Sequence, residues 1–199
     1  MAELKLNIHL NGVGGQGIGL LSETLLRAYD HAGFPVIGVD THGLAQRGGG
    51  VESHLRVGYP RGNPLVEPGR ADLVLSLERT EALRALGTRL RKGGTLAWFD
   101  TLWQPLSDRL GETRPVTPED MEEAAAKMEV RLLRVTGEGL PDVRMQNMAL
   151  LGAAFHEGLF PGLTREDLET ALSDLMSGPV LEANREVLRS ARGISGGRS

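Results

Sequence analysis

The sequence predicts an α/β fold of three α/β/α layers, with a mostly parallel, mixed sheet and a helical C-terminal part. Three observations support this prediction. Near the N-terminus, an apolar strand pattern enters a glycine-rich turn and leads directly into an amphipathic helix. A second apolar run, 73–77, is followed by another helix and strand, and the last part of the chain has only helical patterns. We expect a single domain over 1–192 and a flexible tail over 193–199.

The first β-α-β unit is predicted over residues 4–40. Alternating apolar residues at 4–10 indicate a strand. The following helix has an apolar stripe on one face, formed by Leu21, Leu25, Ala28 and Ala32. Gly33 and Pro35 are typical of a helix end. A short buried strand over 36–39 then ends at Asp40.

The connection after Asp40 departs from a regular crossover. Residues 41–50 contain four glycines and no helical stripe, so no helix fits there. The strand 51–57 alternates in polarity. One face has Val51, Ser53, Leu55 and Val57, and the other has Glu52, His54 and Arg56. The short connection predicts that this strand pairs antiparallel to a neighbour.

A second β-α-β unit is predicted after a proline-containing loop. The run 73–77 has the character of a strand buried on both faces. A helix over 79–90, a turn at 92–94 and a strand over 95–99 follow it.

Helices dominate the rest of the chain. Thr117 and Pro118 indicate the start of a helix that ends near Met128, before a strand at 130–135. Three further helical segments are predicted: 143–158, one capped by Thr164, and 179–192. No catalytic motif is found in them.

Composition excludes several classes of function. The chain has 199 residues, a net charge of -4 and no basic run, which argues against a nucleic-acid-binding protein. It contains no cysteine, which excludes disulfides, a thiol nucleophile and a cysteine-ligated iron–sulfur cluster within it. No apolar stretch is long enough to span a bilayer and no signal-peptide pattern is found, so we expect no membrane association and a cytoplasmic location.

The first glycine-rich turn permits two interpretations. Residues 12–17 satisfy G-x-G-x-x-G between a strand and a helix, where backbone N–H groups favour a phosphate or carboxylate. Asp40 ends the second strand, where a ribose-binding acid is expected in a dinucleotide site. Alternatively, the glycines let the helix pack closely on the strand and let another protein surface approach.

The second glycine-rich segment, 41–50, is equally open to two interpretations. Its backbone could form an anion-binding nest in which the guanidinium of Arg47 binds a carboxylate or phosphate. It could instead be a structural hairpin in which Arg47 pairs with Asp40 or Glu52. His42 and His54 flank the segment without a metal-ligand spacing, and no nucleophile accompanies them. We therefore predict neither a catalytic residue nor a metal ligand in this chain.

Three segments together resemble one family. They are GVGGQG at 12–17, THGLAQRGGGVESHLRVG at 41–58 and ADLVLSLE at 71–78, with RKGGT at 91–95 in support. This combination is similar to the gamma-type subunit of 2-oxoacid:ferredoxin oxidoreductases, and the HGLAQRGG form resembles the indolepyruvate branch, whose counterpart is called subunit beta. The likeness is close over the first half and is found in outline beyond it, but 102–114 has no counterpart.

The resemblance implies a non-autonomous subunit of a complex that oxidatively decarboxylates a 2-oxoacid to an acyl-CoA. Thiamine diphosphate, magnesium and iron–sulfur clusters would be held by partner catalytic subunits, with coenzyme A as cosubstrate and ferredoxin as an indirect partner. The isolated chain would be inactive and could form a homodimer. The residues implied at the active-centre interface are Gly12, Gly14, Gly15, Gln16, Gly17, His42, Gln46, Arg47, Gly48, Gly49 and His54.

Two alternatives remain beside the family interpretation. One is a free-standing Rossmann-like oxidoreductase that binds NAD(P) or FAD through residues 12–17 and Asp40. The other is a non-enzymatic module that senses an acyl-CoA or a nucleotide through Arg47. The resemblance leaves open whether the two loops contact coenzyme A, thiamine diphosphate, the carboxylate of the 2-oxoacid or only protein.

Overall fold

The computed structural model describes residues 4–42, 49–103 and 114–196. Strands and helices alternate over most of this range. The strands are β1 (Leu6–Val13), β2 (Val36–His42), β3 (Gly50–Val57), β4 (Ala71–Ser76), β5 (Leu90–Phe99), β6 (Arg131–Val135) and β7 (Ile194–Gly196). The α-helices are α1 (Ile18–His31), α2 (Arg79–Thr88), α3 (Pro118–Met128), α4 (Gln146–His156), α5 (Arg165–Leu175) and α6 (Gly178–Ser190), with a 3₁₀ turn at Val143–Met145 before α4.

All the strands form one mixed sheet in the order β2-β3-β1-β4-β5-β6-β7. Strands β1, β4, β5 and β6 are parallel to one another. Strand β3 lies antiparallel between β1 and β2, so β2 runs in the same direction as β1. This confirms the predicted mixed sheet and the predicted antiparallel pairing of the strand after the second glycine segment.

Helices cover both faces of the sheet, which confirms the three-layer prediction. Helices α1, α4, α5 and α6 pack on one face in a core that includes Leu10 and Leu75. Helices α2 and α3 pack on the other face around Val74 and Trp98. Neighbouring strand residues point to opposite faces. Strand β4 therefore contributes to both cores.

Local sequence signals set several helix starts. Thr117 accepts a hydrogen bond from the Asp120 backbone while the Asp120 side chain accepts one from Thr117, and Thr164 and Asp167 form the same capping box. These contacts confirm the predicted caps. Within the described ranges, no helix combines the length and apolar character that crossing a membrane requires.

Several sequence-based boundaries are wrong, and one of them is the end of the helix predicted over 79–90, which the structure places at Thr88. Residues 92–94 do not precede a strand as a turn, because β5 begins at Leu90 and contains them as an irregularity: Ala71 pairs with Leu90, whereas Leu73 pairs with Thr95. Leu90 is buried against α2, which holds the strand start in place despite the glycines. Residues 194–196, which we assigned to a flexible tail, pair antiparallel with β6 as β7.

Candidate functional site

The two glycine-rich segments meet at one edge of the sheet. The turn 12–17 leaves the carboxyl end of β1, and the segment after His42 joins β2 to the start of β3 at the same edge. The Gly14 N–H donates a hydrogen bond of 3.0 Å to the Gly49 carbonyl, which joins the two segments directly. In open α/β sheets, ligands bind outside the carboxyl ends of the strands. This edge is therefore the candidate site.

The side chain of Gln16 closes the crevice between β1 and β4. Its Oε1 accepts a hydrogen bond of 2.7 Å from the Val13 N–H, and its Nε2 donates one of 2.9 Å to the Leu77 carbonyl. The side chain is buried, and both partners lie at the ends of adjacent parallel strands. Gln16 thus fastens the turn to the sheet.

Packing and backbone conformation account for three of the turn glycines. A Cβ on Gly12 would lie 2.8 Å from Gln16 Oε1 and 3.2 Å from Leu77 Cβ. Gly17 has φ 89° at the start of α1, and a Cβ there would lie 2.5 Å from Asn147 Nδ2. Gly15 has φ 100° with open space around it. Positive φ and close contacts both require glycine.

These contacts do not favour the dinucleotide alternative. The Val13 N–H, which a bound phosphate could use, already donates to Gln16. The Asp40 carboxylate, expected on a ribose, accepts a hydrogen bond of 3.0 Å from the Ser22 hydroxyl of α1. The groups that a dinucleotide would need are therefore used in internal hydrogen bonds of the protein.

The second segment is described only at its two ends. His42 is the last residue of β2, where its backbone pairs with Val51, and its side chain lies outside the described residues. Gln46, Arg47 and Gly48 also lie outside them. The carboxylates proposed as alternatives for Arg47 have other partners: Asp40 binds Ser22, and Glu52 binds Arg89 at 2.7 Å.

Helix α2 adds acidic groups beside the start of β3. Glu78 caps the helix by accepting from the Glu81 N–H at 2.9 Å, and it also accepts from the Trp103 N–H at 3.1 Å. A Cβ on Gly50 would lie 3.5 Å from Glu81 Oε2. Burial raises the pKa of Glu81, although its ion pair with Arg84 opposes the shift. The site therefore has an acidic side next to the second segment.

His54 points away from α1, towards the α2 face of the sheet. It lies directly opposite His9 of β1, with ring centroids 4.9 Å apart, and its Nε2 is 3.8 Å from Glu52 Oε2. Burial and the Arg89 guanidinium lower the pKa of His54, and Glu52 opposes them. Burial, His54 and Arg89 lower the pKa of His9 to about 3. Both rings are therefore neutral at pH 7.

His9 was missed by the sequence analysis. Its alternation with Ile8 and Leu10 places it on the face opposite the apolar core, but the pairing with His54 depends on the β1–β3 register. The strand pattern signalled its orientation, and only the antiparallel register brings the two histidines together.

Comparisons with known proteins agree with the fold and identify a family. Residues 7–194 match the family model described as pyruvate ferredoxin/flavodoxin oxidoreductase. The chain is 32% identical to the indolepyruvate oxidoreductase subunit IorB of Archaeoglobus fulgidus, over 94% of this chain and 93% of that protein.

Solved structures share the fold at lower identity. The pyruvate oxidoreductase subunit PORC of Thermotoga maritima superimposes with a TM-score of 0.65 at 21% identity, covering 93% of each chain. The 2-oxoglutarate:ferredoxin oxidoreductase of Magnetococcus marinus, solved with 2-oxoglutarate, coenzyme A and succinyl-CoA, gives a TM-score of 0.63 at 19% identity over 92% of this chain and 30% of that one. With the family match over 7–194, these likenesses confirm the predicted resemblance: the chain belongs to the pyruvate ferredoxin/flavodoxin oxidoreductase family.

Proposed function

We propose that this chain is the non-autonomous, indolepyruvate-branch subunit of a 2-oxoacid:ferredoxin oxidoreductase. The observation that carries the proposal is the Gly14–Gly49 hydrogen bond, which joins the first segment of the family resemblance to the described end of the second at the carboxyl edge of the sheet. The 32% identity to an indolepyruvate oxidoreductase subunit supports the choice of branch. The likeness to indolepyruvate oxidoreductase subunits favours an aryl pyruvate as the substrate of the complex.

The paired segments serve best as a docking surface for the catalytic subunit. Gln16 fills the crevice where a small ligand would enter, and Gly12 and Gly17 are occupied by internal packing. Gly15 is exposed and is free of such internal contacts, so it is open to a partner, and Arg47 belongs to the segment that Gly49 joins to this turn. A guanidinium on such a surface suits a carboxylate or phosphate of the partner's substrates, including coenzyme A.

The redox cofactors belong to partner chains in this proposal. The 199 residues include no cysteine, so they do not fit a cysteine-ligated iron–sulfur cluster. The carboxylates described beside the paired segments include Asp40, which accepts a hydrogen bond from Ser22, and Glu52, Glu78 and Glu81. Glu52 and Glu81 form ion pairs with arginines, and Glu78 caps a helix. This donor set does not fit the metal-bound diphosphate of thiamine diphosphate.

Reconstitution tests the proposal. The chain should show no activity alone and should co-purify with a thiamine-diphosphate and iron–sulfur subunit when the two are co-expressed. The complex should then reduce ferredoxin with indolepyruvate and coenzyme A faster than with pyruvate or 2-oxoglutarate. Full activity of the isolated chain, or no association with such a subunit, would contradict the proposal.

An arginine pair tests the docking surface itself. Arg47→Ala should lower the affinity for the catalytic subunit, or raise the KM for coenzyme A, by roughly 10- to 100-fold, as expected for the loss of a charge-assisted hydrogen bond. Arg61→Ala is the matched control, because Arg61 is exposed in the loop after β3, at the opposite edge of the sheet. Equal assembly and equal KM values for the two variants would show that Arg47 is not part of the interface.

A further inference from the structure

The α2 face of the sheet gathers three side chains that suit a metal ion. His9 of β1 lies directly opposite His54 of β3, and Glu52 is two residues before His54 on the same face. One nitrogen or oxygen atom from each of the three lies within 4.8 Å of the others. The proposed role in a complex does not use this cluster.

The environment of His9 is a second, independent observation that points to a ligand. The residue is fully buried, and neither ring nitrogen has a hydrogen-bond partner in the part of the chain that the structure describes. A buried polar group without a partner carries its full desolvation cost, so such groups are rare in native proteins. A neutral imidazole in this position still has a lone pair to donate.

We propose that His9, His54 and Glu52 bind one divalent transition-metal ion of the Zn²⁺ and Co²⁺ class. Imidazole nitrogens suit zinc, cobalt, nickel and iron(II), whereas calcium and magnesium take oxygen ligands. Two histidines and one carboxylate leave further coordination positions for water. About a third of the Glu52 side chain is exposed, which gives an ion access from solvent.

Binding requires local adjustments that the structure identifies. A tetrahedral ion with bonds of about 2.0–2.1 Å draws its ligand atoms to roughly 3.4 Å from one another, so the three side chains must close in. The Val66 N–H donates to His54 Nδ1 at 3.3 Å, which places the proton of the neutral ring on Nε2. Coordination through Nε2 moves that proton to Nδ1 and gives up this long hydrogen bond.

Arg89 competes with the ion for Glu52. Its Nη2 lies 2.7 Å from Glu52 Oε2, and its charge opposes a cation beside the two rings. The proposal therefore predicts opposite effects for two kinds of variant. Loss of a ligand weakens binding, whereas loss of the Arg89 charge strengthens it.

The test is a Co²⁺ and Zn²⁺ titration of the untagged, chelator-treated full chain, followed by calorimetry and by the visible absorption of Co²⁺. We expect one ion per chain, binding weakened at least about 10-fold in His9→Gln and in Glu52→Gln, and binding tightened about fivefold or more in Arg89→Gln. His31→Asn is the matched control, since His31 is exposed on α1 beside Asp174, and it should bind like the wild type.

Two results would overturn the proposal. One is the absence of saturable binding in both the wild type and Arg89→Gln. The other is unchanged affinity in Glu52→Gln, which would show that Glu52 is not a ligand of the ion. Glu52 is partly exposed, so this variant decides the question even if His9→Gln does not fold. The readout is ion binding by this chain alone, so it is independent of the reconstitution assay.

Discussion

The buried imidazole of His9 links one residue to the stability of the whole domain. Folding keeps this ring neutral by lowering its pKa to about 3, whereas in the unfolded chain the pKa has its ordinary value of 6.5. Between these two values the unfolded state binds a proton that the folded state does not. The free energy of unfolding therefore has its full value above pH 6.5 and decreases as the pH falls from 6.5 towards 3.

The substitution His9→Leu tests this linkage. With a chelator present and at a pH of about 7.5, the variant should be as stable as the wild type or up to about 1 kcal/mol more stable, because it removes two unpaired polar atoms. At a pH of about 5, the free energy of unfolding of the variant relative to the wild type should be about 2 kcal/mol higher still, because residue 9 no longer takes up a proton on unfolding. Urea unfolding at both pH values measures the difference. A gap independent of pH would mean that His9 is not held neutral.

Residue-level prediction from the sequence succeeded where a pattern is local. The capping residues Thr117 and Thr164 were identified because a cap depends on residues three positions apart. The Gln16 bridge was not identified as such, because its partner Leu77 is distant in the sequence and is reached only after β1 and β4 pair. His9 was missed for the same reason. Contacts across strands depend on register, which a single sequence specifies weakly.

At the scale of elements, the start of α1 shows how one turn serves two neighbours. Gly17 takes a left-handed conformation that directs the chain from β1 into the helix, and its carbonyl accepts a hydrogen bond of 3.4 Å from the Asn147 side chain of α4. The turn thereby connects α1 and α4 on one face of the sheet. The position needs both the positive φ and the absence of a Cβ.

A pair of glycine variants separates these effects. Gly17→Ala should lower the free energy of unfolding by about 1–2 kcal/mol, because φ 89° strains any residue with a Cβ and Asn147 must move. Gly19→Ala, two residues on in α1 and open to solvent, should be neutral or stabilise by about 0.5–1 kcal/mol. Thermal melts should show a lowered Tm for Gly17→Ala and an unchanged or raised Tm for Gly19→Ala, with shifts of roughly 2–4 °C per kcal/mol. A Gly17→Ala protein as stable as Gly19→Ala would contradict the left-handed turn.

Element boundaries could be predicted less well than element types. Every predicted strand and helix is present in the described ranges, but β5 starts at Leu90 and not at Thr95. Glycines normally mark turns, and here Gly93 has φ 71° inside a strand irregularity. Burial of Leu90 under α2 decides the outcome, and that contact is tertiary. Local propensity loses to packing when the two conflict.

At the scale of the whole molecule, the two layers of helices share the same strands. Strand β5 places Ala97 and Phe99 in the core under α1 and α4, and Leu96 and Trp98 in the core under α2 and α3. Loss of either helix layer would expose one apolar face of a strand whose other face is still buried. The two layers are therefore expected to unfold together as one cooperative unit.

The substitution Trp103→Phe makes this expectation measurable. The chain has two tryptophans, and the substitution removes the exposed one. Trp98, which is 2% exposed, is then the single remaining tryptophan. Fluorescence then reports on the α2 and α3 layer, while far-ultraviolet circular dichroism reports mostly on the four helices of the other layer. The two denaturation curves should share one midpoint. A fluorescence transition that precedes the loss of helix would show that the layers unfold separately, and it would divide the single domain that we predict for residues 1–192.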